Sequence, residues 1–202
     1  MKDEPESLRF ILHPSSLILH LGMGTPHEPL PVKPIAGLLA ASHELLAEAR
    51  AALAECFGPI DAASAIESWE FDGYRGEMGA AIWRQYVAFA ATMAPEELVA
   101  RKLQANELEE RWRRAGGRLV NVDPGYVDLN KLVLASTKDA GHRVYLGRGI
   151  YAEATLRFEH GSFVAFPFTY PDYAGNAARA FFTQVREAFR AATAPRPAPR
   201  GD

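Results

Sequence analysis

The chain has 202 residues, 48% hydrophobic and 23% charged, with a formal net charge of −3 and a pI near 6.1. That length suits one domain with its own core, and the balance is globular rather than disordered. The small negative charge excludes a broad electrostatic grip on nucleic acid or an anionic membrane, and the single cysteine excludes an internal disulfide or a multi-cysteine zinc site.

Residues 1–31 read as a disordered or mis-annotated extension. The near-repeats beginning at Phe10 and Leu17 are interrupted by His13 and Pro14, and acidic residues stand where a secretory leader carries basic ones. Met23 is a candidate alternative start. No segment reaches the roughly 20 apolar residues of a membrane-spanning helix. Together with the lack of disulfides, this gives a cytoplasmic expectation. The Pro-rich run 26–34 separates the extension from a single domain expected over 32–193, and 194–202 is a Pro-rich tail expected to be disordered.

Residues 35–41 form a short apolar run that predicts a buried strand. Ser42 is placed to cap the helix that follows, with Leu45, Leu46, Ala49, Leu53, Cys56 and Phe57 along one face and Cys56 as a small core filler. Gly58-Pro59 ends that helix. Residues 67–71 alternate and predict a strand. So do 80–90, with Ile82, Arg84, Tyr86 and Ala88 on one side and Trp83, Gln85, Val87 and Phe89 on the other.

A glycine-rich loop separates those two strands. Pro95 opens a second helix, predicted to run to about Ala115, whose Glu107–Arg111, Glu109–Arg113 and Glu110–Arg114 pairs mark a solvated face, each worth roughly 0.2–0.5 kcal/mol. Strand character resumes at 118–122, and Asp123-Pro124-Gly125 signals a turn. Residues 132–135 read as a strand, with Asp128 leaving a short capped helix open. Two hairpins are predicted, around Gly147–Gly149 and His160-Gly161, before a final helix carrying Phe181, Phe182, Val185 and Phe189. The fold expectation is α+β, with a split βαβ (ferredoxin-like) core and additional antiparallel hairpins extending its sheet.

Phosphate loops of the Walker type, the dinucleotide fingerprint, H-E-x-x-H and G-x-S-x-G are all missing from the sequence. The polar chemistry concentrates between Asn121 and Tyr173. A three-residue loop at 147–149 predicts Leu146 facing Ile150, Val144 opposite Ala152 on an apolar face, and Tyr145 opposite Tyr151 and Arg143 opposite Glu153 on a polar one. His142 points to the apolar face in this register. A solvent-facing strand pair and a ligand surface both fit that polar face.

Asn121–Tyr126, Lys131–Asp139, His142–Leu146, Gly149–Glu153 and Thr169–Tyr173 together resemble the family called domain of unknown function 4416, as do the upstream pieces at 34–39, 57–61, 74–79 and 106–110. The likeness covers roughly residues 32–191 and implies no activity. The family pattern has a bulkier residue where Ala154 stands and Trp where Phe168 stands.

From the residues themselves, the leading expectation is a binding module or small enzyme for a phosphorylated ligand such as a nucleotide or an RNA end. Lys138, Asp139, Arg143 and Arg148 are its polar contacts, and Tyr126, Tyr145 and Tyr151 its stacking candidates. Asp123, Glu153, Asp172 and His142 are the catalytic candidates, with Mg²⁺ a candidate cofactor on the carboxylates. The other expectation is a non-enzymatic interaction protein using the same face for a partner or a second copy of itself.

Overall fold

The computed structural model describes residues 25–70, 76, 78–79, 81–115 and 117–194. Most of the expected N-terminal extension, much of the glycine-rich loop and nearly all of the Pro-rich tail therefore lie outside the described residues.

In chain order the elements are β1 (Lys33–Ala40), α1 (His43–Phe57), β2 (Ile60–Ala63), β3 (Glu67–Trp69) and β4 (Ile82–Phe89). A 3-10 turn then leads into α2 (Leu98–Glu109), followed by the short β5 (Arg113–Arg114) and β6 (Gly117–Arg118). The second half holds β7 (Val120–Val127), β8 (Lys131–Ser136), β9 (Val144–Gly147), β10 (Ile150–Glu159) and β11 (Ser162–Ala165). It ends with the single turn α3 (Pro171–Ala174) and the long α4 (Asn176–Thr193).

Among the described residues nine strands form one antiparallel sheet ordered β11-β10-β8-β7-β1-β4-β2, with β3 added to β4 and β9 to β10. The protein is thus α+β. All eight residues of β1 are buried because both its edges and both its faces are covered.

The two-residue alternation of the strands sorts side chains onto two faces. Ala36, Leu38 and Ala40 of β1, with Val87 and Phe89 of β4, pack under α1 and α2. On the opposite face Ile35, Tyr86, Ala88 and Leu134 pack under α4, whose Phe181, Phe182 and Val185 lie at helical spacing. Burying each of the Val, Leu, Ile and Phe side chains among these is worth about 1.5–3 kcal/mol. The expected strand alternation in β4 is therefore observed, and Ser42 caps α1 by accepting from the Leu45 amide at 3.2 Å.

Several expectations are corrected. Cys56 is exposed rather than a core filler, because α1 turns Leu46, Ala49, Leu53 and Phe57 inward instead. The second helix stops at Glu109, where a 3-10 turn swings Trp112 into the core and lets its indole N–H donate to Glu48 at 3.0 Å. Glu109 is consequently buried, not on a solvated face. Asp128 caps no helix. Its carboxylate accepts from the Asn130 and Lys131 amides, both at 2.7 Å, closing the β7–β8 hairpin.

Asp123-Pro124-Gly125 is no turn, since β7 runs straight through it, paired along its whole length with β1. Proline has no N–H to give a second neighbour, however. The β7–β8 ladder accordingly covers only Gly125↔Leu134 to Val127↔Leu132. Beyond it β8 continues with β10 alone, as far as Ser136↔Tyr151. Val122, which faces the gap, has its N–H taken by Glu109 Oε1 at 2.7 Å and its carbonyl by Lys102 Nζ at 3.0 Å. Side chains of α2 thus replace the missing strand partner, and the sheet opens into a cleft.

The first hairpin also differs. Gly147 pairs with Ile150 around a two-residue turn, a bulge follows, and Tyr145↔Tyr151 and Val144↔Ala152 then fall as expected. Both faces of β9 are exposed, so Val144 does not lie on a buried apolar side. His142 turns toward Glu153 instead of toward the apolar face.

Candidate functional site

Arg84 sits in the middle of β4 on the α4 side, 2% exposed. Its Nη2 lies 2.7 Å from Asp172 Oδ2 and its Nη1 3.6 Å from Asp123 Oδ2. The guanidinium is also 4.5 and 4.7 Å from the Tyr86 and Tyr173 ring centroids, so two aromatic faces and two carboxylates compensate a buried charge. None of its N–H groups reaches hydrogen-bond geometry. Burial works against the charge, yet Tyr173 and Asp172 outweigh it and hold the pKa well above the ordinary arginine value.

The α3 turn delivers Asp172 and Tyr173 to this spot. The Tyr86 hydroxyl donates to the Asp172 carbonyl at 2.9 Å, and burial pushes that phenol up to about 12. Tyr173 stacks on Phe182, with ring centroids 5.9 Å apart, and lies over Gly37 of β1. A Cβ at Gly37 would stand 2.1 Å from the Tyr173 hydroxyl and 2.7 Å from Arg84 Nη2, so glycine is a steric requirement here. Burial raises the Asp172 carboxyl above its ordinary value; Arg84 opposes this and Asp123 adds to it.

A second ionic group stands on β10. Glu153 is buried and accepts from Arg143 Nε at 2.7 Å and Thr155 Oγ1 at 3.1 Å, with His142 Nε2 3.2 Å away. Arg143 Nη1 donates to the Lys138 carbonyl at 2.9 Å, which pins the loop between β8 and β9. The His142 ring stacks on Phe168 at 4.3 Å.

Between these groups lies a cleft of about 100 Å³, against the roughly 10–15 Å³ that one water needs. It has room for a small polar group and too little for an enclosed nucleotide. Asn121 and Asp123 of β7 form one wall; Ser136, Lys138, Arg143 and Glu153 form the other; Tyr170, Asp172 and Tyr173 close the end, and Trp69, Lys102 and Arg118 complete the lining.

Of the sequence-derived candidates, Asp123, Lys138, Arg143, Glu153 and Asp172 converge on this cleft. His142 touches Glu153 without lining it. Asp139 is exposed in the loop, and Arg148 occupies the hairpin tip at φ 54°. Tyr145 and Tyr151 pair with each other at 5.2 Å away from the cleft wall, and Tyr126 packs on the α2 side of the sheet. Among the described residues no three His, Cys, Asp or Glu side chains gather as a metal site requires. Asp123 and Asp172 share Arg84 instead.

Sequence reasoning missed Arg84, Asn121, Trp69, Tyr170 and Tyr173. One signal was available for Arg84, a charge in the centre of a strand face otherwise made of Ile82, Tyr86 and Ala88.

The fold and site define an antiparallel α+β protein with a charged cleft where its central sheet parts. Residues 30–189 match the family described as Domain of unknown function (DUF4416), and the chain belongs to that family. No curated protein and no solved structure matches it.

Proposed function

We propose that the cleft binds or processes a small phosphorylated ligand, such as the phosphate-bearing end of a nucleotide or of RNA. The observation that carries this reading is the local charge. Lys102, Arg118, Lys138 and Arg143 line the cleft against Asp123, Glu153 and Asp172, a cationic excess in a chain whose net charge is −3. Among the described residues Lys138 pairs with no carboxylate, and it stands exposed at the mouth beside the Ser136 and Thr137 hydroxyls. Asp123 and Asp172 are the groups suited to moving a proton, since Glu153 is fully engaged by Arg143 and Thr155.

Titration calorimetry with inorganic phosphate and with a phosphomonoester tests the reading. Binding should weaken with added salt and fall at least about fivefold in Lys138→Ala. No heat from either compound at millimolar concentration overturns it.

The interaction-protein reading has one observation in its favour. The edge strand β9 exposes Val144 at 67%, Tyr145 at 59% and Leu146 at 42%. Sedimentation velocity would report concentration-dependent association under that reading. The order β7-β1-β4-β2, with α1 and α2 on one face, supports treating the first half as a split βαβ core to which β8–β11 are added.

A further inference from the structure

The inner end of the cleft presents an unusual combination of groups. Asn121, 3% exposed, has an amide nitrogen with no hydrogen-bond partner, and Tyr173, 2% exposed, has a hydroxyl with none. Both side chains line the cleft alongside the carboxylates of Asp123 and Asp172. Unpaired buried donors are rare because each forfeits its hydration without return. Here two of them share a space with two acceptors.

The chemistry of that space discriminates among occupants. A second phosphate or a carboxylate would meet Asp123 and Asp172 at short range and be repelled. An ammonium would suit the carboxylates and donate to the Tyr173 oxygen, but it accepts nothing, so the Asn121 N–H would still lack an acceptor. A hydroxyl both donates and accepts, so it satisfies either carboxylate and either donor at once. Arg84 is a positioning residue. It is ion-paired with both carboxylates and does not itself line the cleft.

We propose that the inner cleft is a subsite for the hydroxyls of a sugar, making the ligand a sugar phosphate or a ribonucleotide end. This deepens the phosphorylated-ligand reading and rests on it. The phosphate lies toward Lys138 and Arg143, and the sugar hydroxyls donate to Asp123 and Asp172 while accepting from Asn121 and Tyr173.

The test compares ribose 5-phosphate with tetrahydrofurfuryl phosphate, which keeps the ring and the phosphate but lacks every ring hydroxyl. Titration calorimetry on the full chain should show ribose 5-phosphate binding about tenfold tighter or more. In Tyr173→Phe that preference should shrink several-fold. The same variant should melt no lower than wild type without ligand, because it removes only an unpartnered hydroxyl and keeps the ring on Phe182. Equal binding of the two phosphates overturns the sugar subsite and leaves the phosphate reading standing. A preference that Tyr173→Phe does not alter also overturns it, because the hydroxyls are then read elsewhere. Failure of both compounds and of inorganic phosphate to bind overturns the subsite and the phosphate reading together.

Discussion

Lys138 and Arg143 stand on the same wall of the cleft, yet removing them should have different consequences. Arg143 is held by buried Glu153, so Arg143→Ala leaves that carboxylate with only Thr155 and His142 beside it and should cost on the order of 3 kcal/mol in urea unfolding. Lys138→Ala removes an exposed side chain and should stay within about 0.5 kcal/mol of wild type. Asp172 should leave a pH signature. A carboxyl whose pKa is raised in the folded chain contributes stability that is full below its ordinary 3.8 and is lost as pH rises through the folded value. The melting temperature of wild type minus that of Asp172→Asn should therefore fall as pH rises above 3.8, and a flat difference would contradict the assignment. At this scale the sequence disclosed the charged residues that sit near one another in the chain, such as Arg143 and Glu153. It hid Arg84 and Tyr173, which meet only because β4 and α3 come together across 88 residues of chain in between.

Pro124 decides the shape of the site at the level of elements. It was legible as a turn signal, and the local reasoning was sound for an isolated segment. What overrides it is β1, which pairs with β7 through Pro124 and holds it extended, while the missing N–H falls on the β8 side. The same proline that suggested a chain reversal thus parts two strands. Lys102 and Glu109 make this tolerable by serving the Val122 backbone, so Lys102→Met should cost about 1–3 kcal/mol by leaving a buried carbonyl unpaired. Gly37→Ala should cost a similar amount, about 1–3 kcal/mol, by displacing Tyr173 and Arg84, and should weaken ligand binding as well. Denaturant titration measures both. The elements themselves were mostly readable from periodicity, as β4 and the phenylalanines of α4 illustrate. The early end of α2 was not, because the burial of Trp112 that terminates it is a tertiary effect.

For the whole molecule, helices on both faces leave the nine-stranded sheet open where β7 and β8 part and along the edge strands. The first opening is polar and concave, and the exposed edge at β9 is apolar. Among the described residues no helix is long and apolar enough to cross a membrane. The cleft's cationic excess against a net negative chain is the property on which the functional reading turns. A thermal-shift series on the full chain with sugar phosphates, nucleotides and inorganic phosphate, repeated on Lys138→Ala, tests it most directly. A ligand at a hundred times its Kd adds about 2.7 kcal/mol, and each kcal/mol is worth roughly 2–4 °C in a chain of this size. The account predicts a shift of several degrees with phosphorylated compounds, greatly reduced in Lys138→Ala, whose melting temperature without ligand matches wild type. A well-folded protein that no phosphorylated compound stabilises would contradict it.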